Sequence, residues 1–149
     1  MKTLYVDLDN VLVDFPSALP LADSSLLTRY EGHLDDIPGI FGLMRPMDGA
    51  VEAFEELATL FDTYILSTSP WENPSAWSDK LLWVKKHLGA PAYKRLILSH
   101  HKHLNVGDYL VDDRKANGAD RFTGEHIHFG SDGFPDWRAV TAYLRRNAT

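Results

Sequence analysis

Apolar residues follow two rhythms along this chain. Short runs rich in β-formers recur at Leu4, Tyr5 and Val6, at Tyr64, Ile65 and Leu66, at Leu96, Ile97 and Leu98, at Tyr109, Leu110 and Val111, and within 126–129. Runs this short, bounded by polar residues, suit strands buried on both faces. Between them apolar residues return at helical spacing. Val51, Phe54, Leu57 and Phe61 do so over a predicted helix at 49–60, with Asp48 as its N-cap. Trp77, Leu81, Val84 and Leu88 mark the inner face of a second helix at 76–88, closed by Gly89. Trp137, Val140 and Leu144 mark a third at 136–146, with Pro135 ahead of it. Strands and helices alternate, so right-handed crossovers to a parallel sheet are expected. The predicted fold is doubly wound α/β with five parallel strands.

One segment breaks this rhythm. From 14 to 46 the chain is punctuated by Pro16, Pro20, Gly32, Pro38, Gly39, Gly42 and Pro46. A short helix is expected at 24–30, with Leu26 and Leu27 inward. The segment also holds Phe15, Leu19, Ile37, Ile40, Phe41 and Met44, too many apolar residues for disorder. Connections this long are commonly functional. The expectation is a lid, inserted after the first strand of a single domain spanning 1–149.

Composition narrows the partners. At 149 residues the chain fits one domain with a full core. Its formal net charge of −6 disfavours a nucleic-acid polymer as partner. With no cysteine there is neither a disulfide nor a thiolate metal site. No leader pattern opens the chain and no apolar run reaches spanning length, so a cytoplasmic protein without a membrane partner is expected.

The chemistry collects where the apolar runs stop. The first run enters Asp7 and Asp9, which strand alternation sends to one side. One aspartate could cap a helix; the second is then left without a purpose. Asn10 follows, a residue that tolerates a tight turn. The second run ends in Ser67, Thr68 and Ser69, hydroxyls that suit either an anion or a turn. After the third come His100, His101, Lys102 and His103. Neighbouring histidines on a loop rarely converge on one ion, so Lys102, as a cation facing an anion, is the stronger candidate. The fourth ends in Asp112, Asp113 and Arg114. His126 and His128 read as strand filler. Trp71, Trp77 and Trp83 read as packing residues, with stacking on a ligand as the alternative for Trp71. In a parallel sheet these strand ends share one edge, where ligands bind. Four carboxylates, the hydroxyls of Thr68 and Ser69, and one lysine suit Mg²⁺ with a phosphoryl group.

The segments DLDNV, STS, Lys102 and VDDR resemble, in order, the four motifs of the haloacid dehalogenase-like hydrolase superfamily. Within it, DLDNVLVDF, STSPW and HHKHLNVGDYLVDDR look like segments of the 5′(3′)-deoxyribonucleotidase group. The resemblance implies a Mg²⁺-dependent phosphomonoesterase. It would hydrolyse small phosphorylated substrates, nucleoside monophosphates in particular, through an aspartyl-phosphate. Asp7 would be the nucleophile and Asp9 the general acid and base. Thr68, Ser69 and Lys102 would hold the phosphoryl oxygens. Mg²⁺ would sit on Asp7, the Asp9 backbone carbonyl, and one or both of Asp112 and Asp113. Two features depart from the group. Asn10 stands where glycine is usual, and 14–46 is shorter than the usual helical cap. Phe15, Phe41 and Met44 are then candidates either for the leaving-group pocket or for lid core. Three other readings compete: a phosphatase for another small ester, a receiver-like signalling module, and a catalytically silent phosphate-binding protein. A receiver would carry its acceptor aspartate at the end of a middle strand, whereas 64–66 ends in Ser67 and Thr68.

Overall fold

The computed structural model describes all residues from Met1 to Thr149. Strand β1, Thr3–Val6, leads into a tight loop in which Leu8 O accepts the N–H groups of Val11, Leu12 and Val13. Asn10 adopts φ 60°, the left-handed conformation that Asn enters more readily than most residues. It therefore replaces glycine there at little cost. Strand β2, Val13–Asp14, pairs antiparallel with β3, Arg45–Pro46, as Val13 against Pro46. Between them lie 3₁₀ turns at Phe15–Leu21, Leu34–Asp36 and Ile40–Leu43, and helix α1, Ser24–Arg29. Asp23 caps α1 by accepting the Ser25 N–H at 2.9 Å.

Helix α2 spans Ala50–Leu60, followed by β4, Asp62–Ser67. Helix α3, Pro74–His87, precedes β5, Leu96–Leu98. Strands β6, Tyr109–Asp112, and β7, Glu125–His128, come next, and α4, Trp137–Arg146, closes the chain. The five main strands form one parallel sheet in the order β5-β4-β1-β6-β7. The parallel α/β architecture expected from the alternation is present. Strand β1 is central because its neighbours cover both edges, and Leu4 and Val6 have no exposed surface. Leu4, Val6, Ile65, Val111 and Ile127 join one large cluster with apolar residues of α2, α3 and α4. Tyr5, Leu66 and Leu110 face a smaller cluster closed by Ala119 and Phe122. No helix is long and apolar enough to cross a membrane.

Three local expectations change. Asp48 does not cap α2. Gly49, at φ 75°, turns the chain into the helix instead, and no side-chain cap bond forms. On α3 the buried side chains are Ala76, Lys80, Trp83 and Val84, while Leu81 is 43% exposed. The helix is rotated from the expected face because Trp83 donates its Nε1–H to Met44 O at 3.1 Å and Lys80 turns toward the strand ends. Trp71 is not a packing residue of the core, being 75% exposed.

The segment 14–46 packs into the main cluster through Ala18, Ile37, Ile40, Phe41 and Met44. Phe41 and Met44 are thus core residues, with Phe41 also facing a small closed gap beside Asp9 and Lys80. Phe15 stays half-buried, edge-on to Phe41 at 5.8 Å. Asn73, just before α3, donates its amide to Asp35 O and Ile37 O at 2.9 and 3.0 Å. These bonds hold the segment close to the carboxyl ends of the strands.

Candidate active site

Each site residue is placed by the strand or turn beside it. The Asp7 N–H continues the ladder to Val111 O at 2.9 Å, which fixes the backbone next to the end of β6. Asp7 Oδ1 accepts the Leu8 N–H at 2.8 Å and lies 3.2 Å from Lys102 Nζ. The same Nζ donates to Asp112 Oδ2 at 2.6 Å. Asp112 Oδ1 accepts the Arg114 N–H at 3.0 Å. Lys102 reaches this point from a 3₁₀ turn at Lys102–Leu104, anchored by its own N–H to Asn117 O at 2.8 Å. Carboxylate oxygens of Asp7, Asp112 and Asp113 all lie within 4.8 Å of one another.

Negative charge is in excess here. Burial pushes the Asp7 carboxyl well above its usual range, and the charges of Asp112 and Asp9 push the same way, while Lys102 and Lys80 pull it back. Burial also raises Asp113, reinforced by Asp112 and opposed by Arg114. For Lys102 burial alone would favour the neutral amine. Asp7 and Asp112 outweigh it and hold the ammonium. One buried ammonium among three carboxylates leaves charge uncovered, and Asp113 Oδ1 is buried with no hydrogen-bond partner. Clustered carboxylate oxygens without sulfur or nitrogen suit a hard divalent cation. The residues present therefore fit a metal.

Asp9 stands apart from that trio. Its Oδ2 accepts from Lys80 Nζ at 3.1 Å, and its Oδ1 is buried and unpartnered. Lys80 Nζ also donates to Ser67 Oγ at 3.0 Å and to Thr68 O at 2.7 Å. Its three N–H donors thus have three acceptors, and it sits 4.7 Å over the Phe41 ring. The sequence reading missed Lys80. The available signal was its spacing from Ala76 and Trp83, which puts all three on one helical face. The expected stripe of Trp77, Leu81, Val84 and Leu88 drew attention away from it, although Val84 and Leu88 of that stripe are buried in the core.

The two hydroxyls separate. Thr68 Oγ1 donates to Ser99 O at 2.7 Å, so its proton is committed to the backbone. Ser69 Oγ is fully buried without a partner and is free to donate. His100 does not approach the carboxylates as a ligand would. It packs against Trp71 and Trp77, with ring centroids 5.9 and 5.8 Å away. A cleft of about 420 Å³ opens beside Asp9, lined by Asn10, Phe15, His33, Leu34, Asp35 and Arg114 among others. Of the aromatic pocket candidates, only Phe15 borders it.

Removing the Lys80 ammonium should free the Asp9 carboxylate. Lys80→Met is expected to lower kcat by about a hundredfold, the scale expected when a reacting group is misplaced by an ångström. It should also lower the thermal midpoint, because Ser67 Oγ and Thr68 O lose their buried donor. Steady-state kinetics on an aryl phosphate and a melting curve check both. Unchanged kcat would mean that Asp9 needs no such support.

A parallel sheet with Asp7 and Asp9 just past its central strand, and Lys102 bridging Asp7 and Asp112 beside Asp113 at the next, is the arrangement of the haloacid dehalogenase-like hydrolases. A sequence profile described as "5' nucleotidase, deoxy (Pyrimidine), cytosolic type C protein" matches residues 24–145, and the chain belongs to this family of phosphoric monoester hydrolases. A protein of Vibrio phage KVP40, provisionally named a 5′(3′)-deoxyribonucleotidase, is 60% identical over 141 residues, covering 95% of this chain and 83% of the phage protein. A provisionally so-named protein of Bordetella pertussis is 44% identical over 92 residues, covering 60% of this chain and 50% of its own. The human 5′(3′)-deoxyribonucleotidase, cytosolic type, is 35% identical over 98 residues, covering 63% of this chain and 49% of its own. The matches thus span about half the length of the bacterial and human proteins.

Proposed function

We propose that this chain hydrolyses nucleoside monophosphates, deoxyribonucleotides foremost, with Asp7 as the nucleophile and Mg²⁺ as cofactor. The observation that carries the proposal is Asp7 itself. It is a buried carboxylate fixed by the Leu8 N–H and by Lys102, opposite a second acid, Asp9, held separately by Lys80. This separation supports attack by Asp7 and proton transfer by Asp9. The names of the relatives supply the substrate class.

Asp7, Asp112, Asp113 and the Asp9 carbonyl would hold Mg²⁺, and when bound the ion would supply positive charge opposite the phosphoryl oxygens. In the first step an Asp7 oxygen bonds to phosphorus while the bond from phosphorus to the sugar oxygen breaks. Asp9 gives that oxygen its proton. In the second step Asp9 takes a proton from water, the water oxygen bonds to phosphorus, and inorganic phosphate leaves Asp7. Lys102 and the free Ser69 hydroxyl bind phosphoryl oxygens throughout, and Thr68 can contribute its backbone N–H. Segment 14–46 acts as the lid. It borders the cleft with Phe15, His33, Leu34 and Asp35 and limits water around the leaving group.

Proton donation by Asp9 has a specific signature. Asp9→Asn should slow esters with poor leaving groups, such as nucleotides, by about 10²–10⁴-fold. Activated aryl phosphates, whose leaving group needs no proton, should form the covalent intermediate at nearly the parent rate. Equal slowing of intermediate formation from both would remove the acid role from Asp9.

Phosphate release from deoxyribo- and ribonucleoside monophosphates, sugar phosphates and an aryl phosphate, each with Mg²⁺ and with EDTA, tests the proposal. A preference for deoxynucleotides, abolished by EDTA, supports it. Turnover of sugar phosphates in preference to nucleotides would favour a phosphatase for another small ester, a reading in keeping with the chain's partial span of the human protein.

A further inference from the structure

We infer that His128 is a positioning residue for the metal-binding carboxylates, with His126 in a weaker supporting role; the inference rests on the metal assignment proposed above. Both histidines lie on β7, two residues apart and therefore on one face of the strand. Their rings stack with centroids 5.8 Å apart and planes 13° from parallel. His128 Nε2 is 2.8 Å from the backbone oxygen of Asp113, and His126 Nε2 is 3.1 Å from that of Asp112. A carbonyl oxygen carries no proton, so each ring nitrogen must donate. Both rings are thereby fixed with hydrogen on Nε2.

The two bonds do not do equal work. Asp112 is the last residue of β6, and its carbonyl also accepts the Phe129 N–H at 3.1 Å. Losing His126 leaves that ladder bond in place. Asp113 lies beyond the strand, and no backbone N–H reaches its carbonyl. His128 is the donor that ties this peptide to the sheet. The same residue carries the buried oxygen with no hydrogen-bond partner, Oδ1, which is left to a cation. The imidazole thus holds the backbone whose side chain completes the carboxylate cluster. His128 is held in turn, since the Ser131 hydroxyl donates to its carbonyl at 2.7 Å. Partners of this outer kind typically change metal affinity by about 10–100-fold.

The test is Mg²⁺ binding to the full chain by titration calorimetry, without substrate, for the parent, His128→Leu, His128→Gln and His126→Leu. The leucine at 128 should weaken Mg²⁺ about tenfold, the lower end of that range. Gln at 128 restores an N–H donor and should stay within about threefold of the parent, as should His126→Leu. Melting curves in EDTA should place both 128 variants within a few degrees of the parent, since His128 is exposed. Should the leucine variant fail to fold, His128→Ala carries the same comparison. Parent-like Mg²⁺ affinity without the donor overturns the inference. So does an equal loss in the leucine and glutamine variants, which would trace the effect to ring packing. A parent protein that binds no Mg²⁺ overturns the metal assignment itself and this inference with it, whereas equal binding by all four overturns this inference alone.

Discussion

Asp7→Asn should cost phosphatase turnover on the order of 10³-fold or more, while the protein folds at least as stably as its parent without metal. The activity loss follows from chemistry, because an amide cannot form the covalent phosphate ester that divides the reaction into two steps. The stability argument has the opposite sign from the usual loss of a buried ion pair. Burial, Asp112 and Asp9 raise the Asp7 carboxyl above its unfolded value of 3.8. A raised carboxyl leaves stability intact below the unfolded value and takes it away as pH climbs through the folded one. At neutral pH the parent carries that penalty, and Asn does not. Asn Oδ1 can still accept the Leu8 N–H, and Lys102 keeps Asp112. Melting curves in EDTA from acid to neutral pH should therefore fall more steeply for the parent than for the variant. Residual turnover near the parent level would remove Asp7 as nucleophile.

Lys102→Met should be the most destabilising single change in the site. Its side chain is 4% exposed and lies between Asp7 and Asp112. Methionine fills much of the same volume but leaves the carboxylates uncompensated. Removing one member of a buried charge cluster costs about 3–5 kcal/mol. For a chain of this size that corresponds to a midpoint lower by about 10 °C. Part of the loss should return on acidification, because protonating Asp7 and Asp113 removes the repulsion that Lys102 had offset. Mg²⁺ should also raise the variant's midpoint more than the parent's, since the ion replaces missing positive charge. Activity should not return, because no ammonium is left to bind the phosphoryl group. A midpoint equal to the parent's at neutral pH would contradict this charge balance.

The strand ends were legible because parallel strands buried on both faces read as unbroken apolar runs. Each run stops where the chemistry begins. Asp7, Lys102, Asp112 and Asp113 could therefore be expected together before any distance was known, and they do converge. What remained hidden depended on orientation. Lys80 lies on a helix with two plausible apolar faces, and only its contacts with Asp9 and Ser67 decide between them. Thr68 and Ser69 are adjacent hydroxyls, and Ser99 O is what separates them. Phe41 and Met44 looked like either pocket or core until the packing of 14–46 against α3 settled them as core. Asp48 carried the residue type of a cap, but Gly49 supplies the turn in its place. His128 read as filler because the carbonyl it holds is fifteen positions earlier in the chain.

The most direct test of Asp7 as the phosphorylated residue uses Asp9→Asn with an aryl phosphate and Mg²⁺. Without Asp9 as base, breakdown of the intermediate slows while its formation from an activated ester continues. Acid quenching followed by borohydride reduces an aspartyl-phosphate to homoserine, which peptide mass spectrometry locates. Homoserine at position 7, formed only with substrate and in step with the burst of aryl alcohol, is the result predicted. A full burst with unmodified Asp7, or homoserine at another carboxylate, would contradict it.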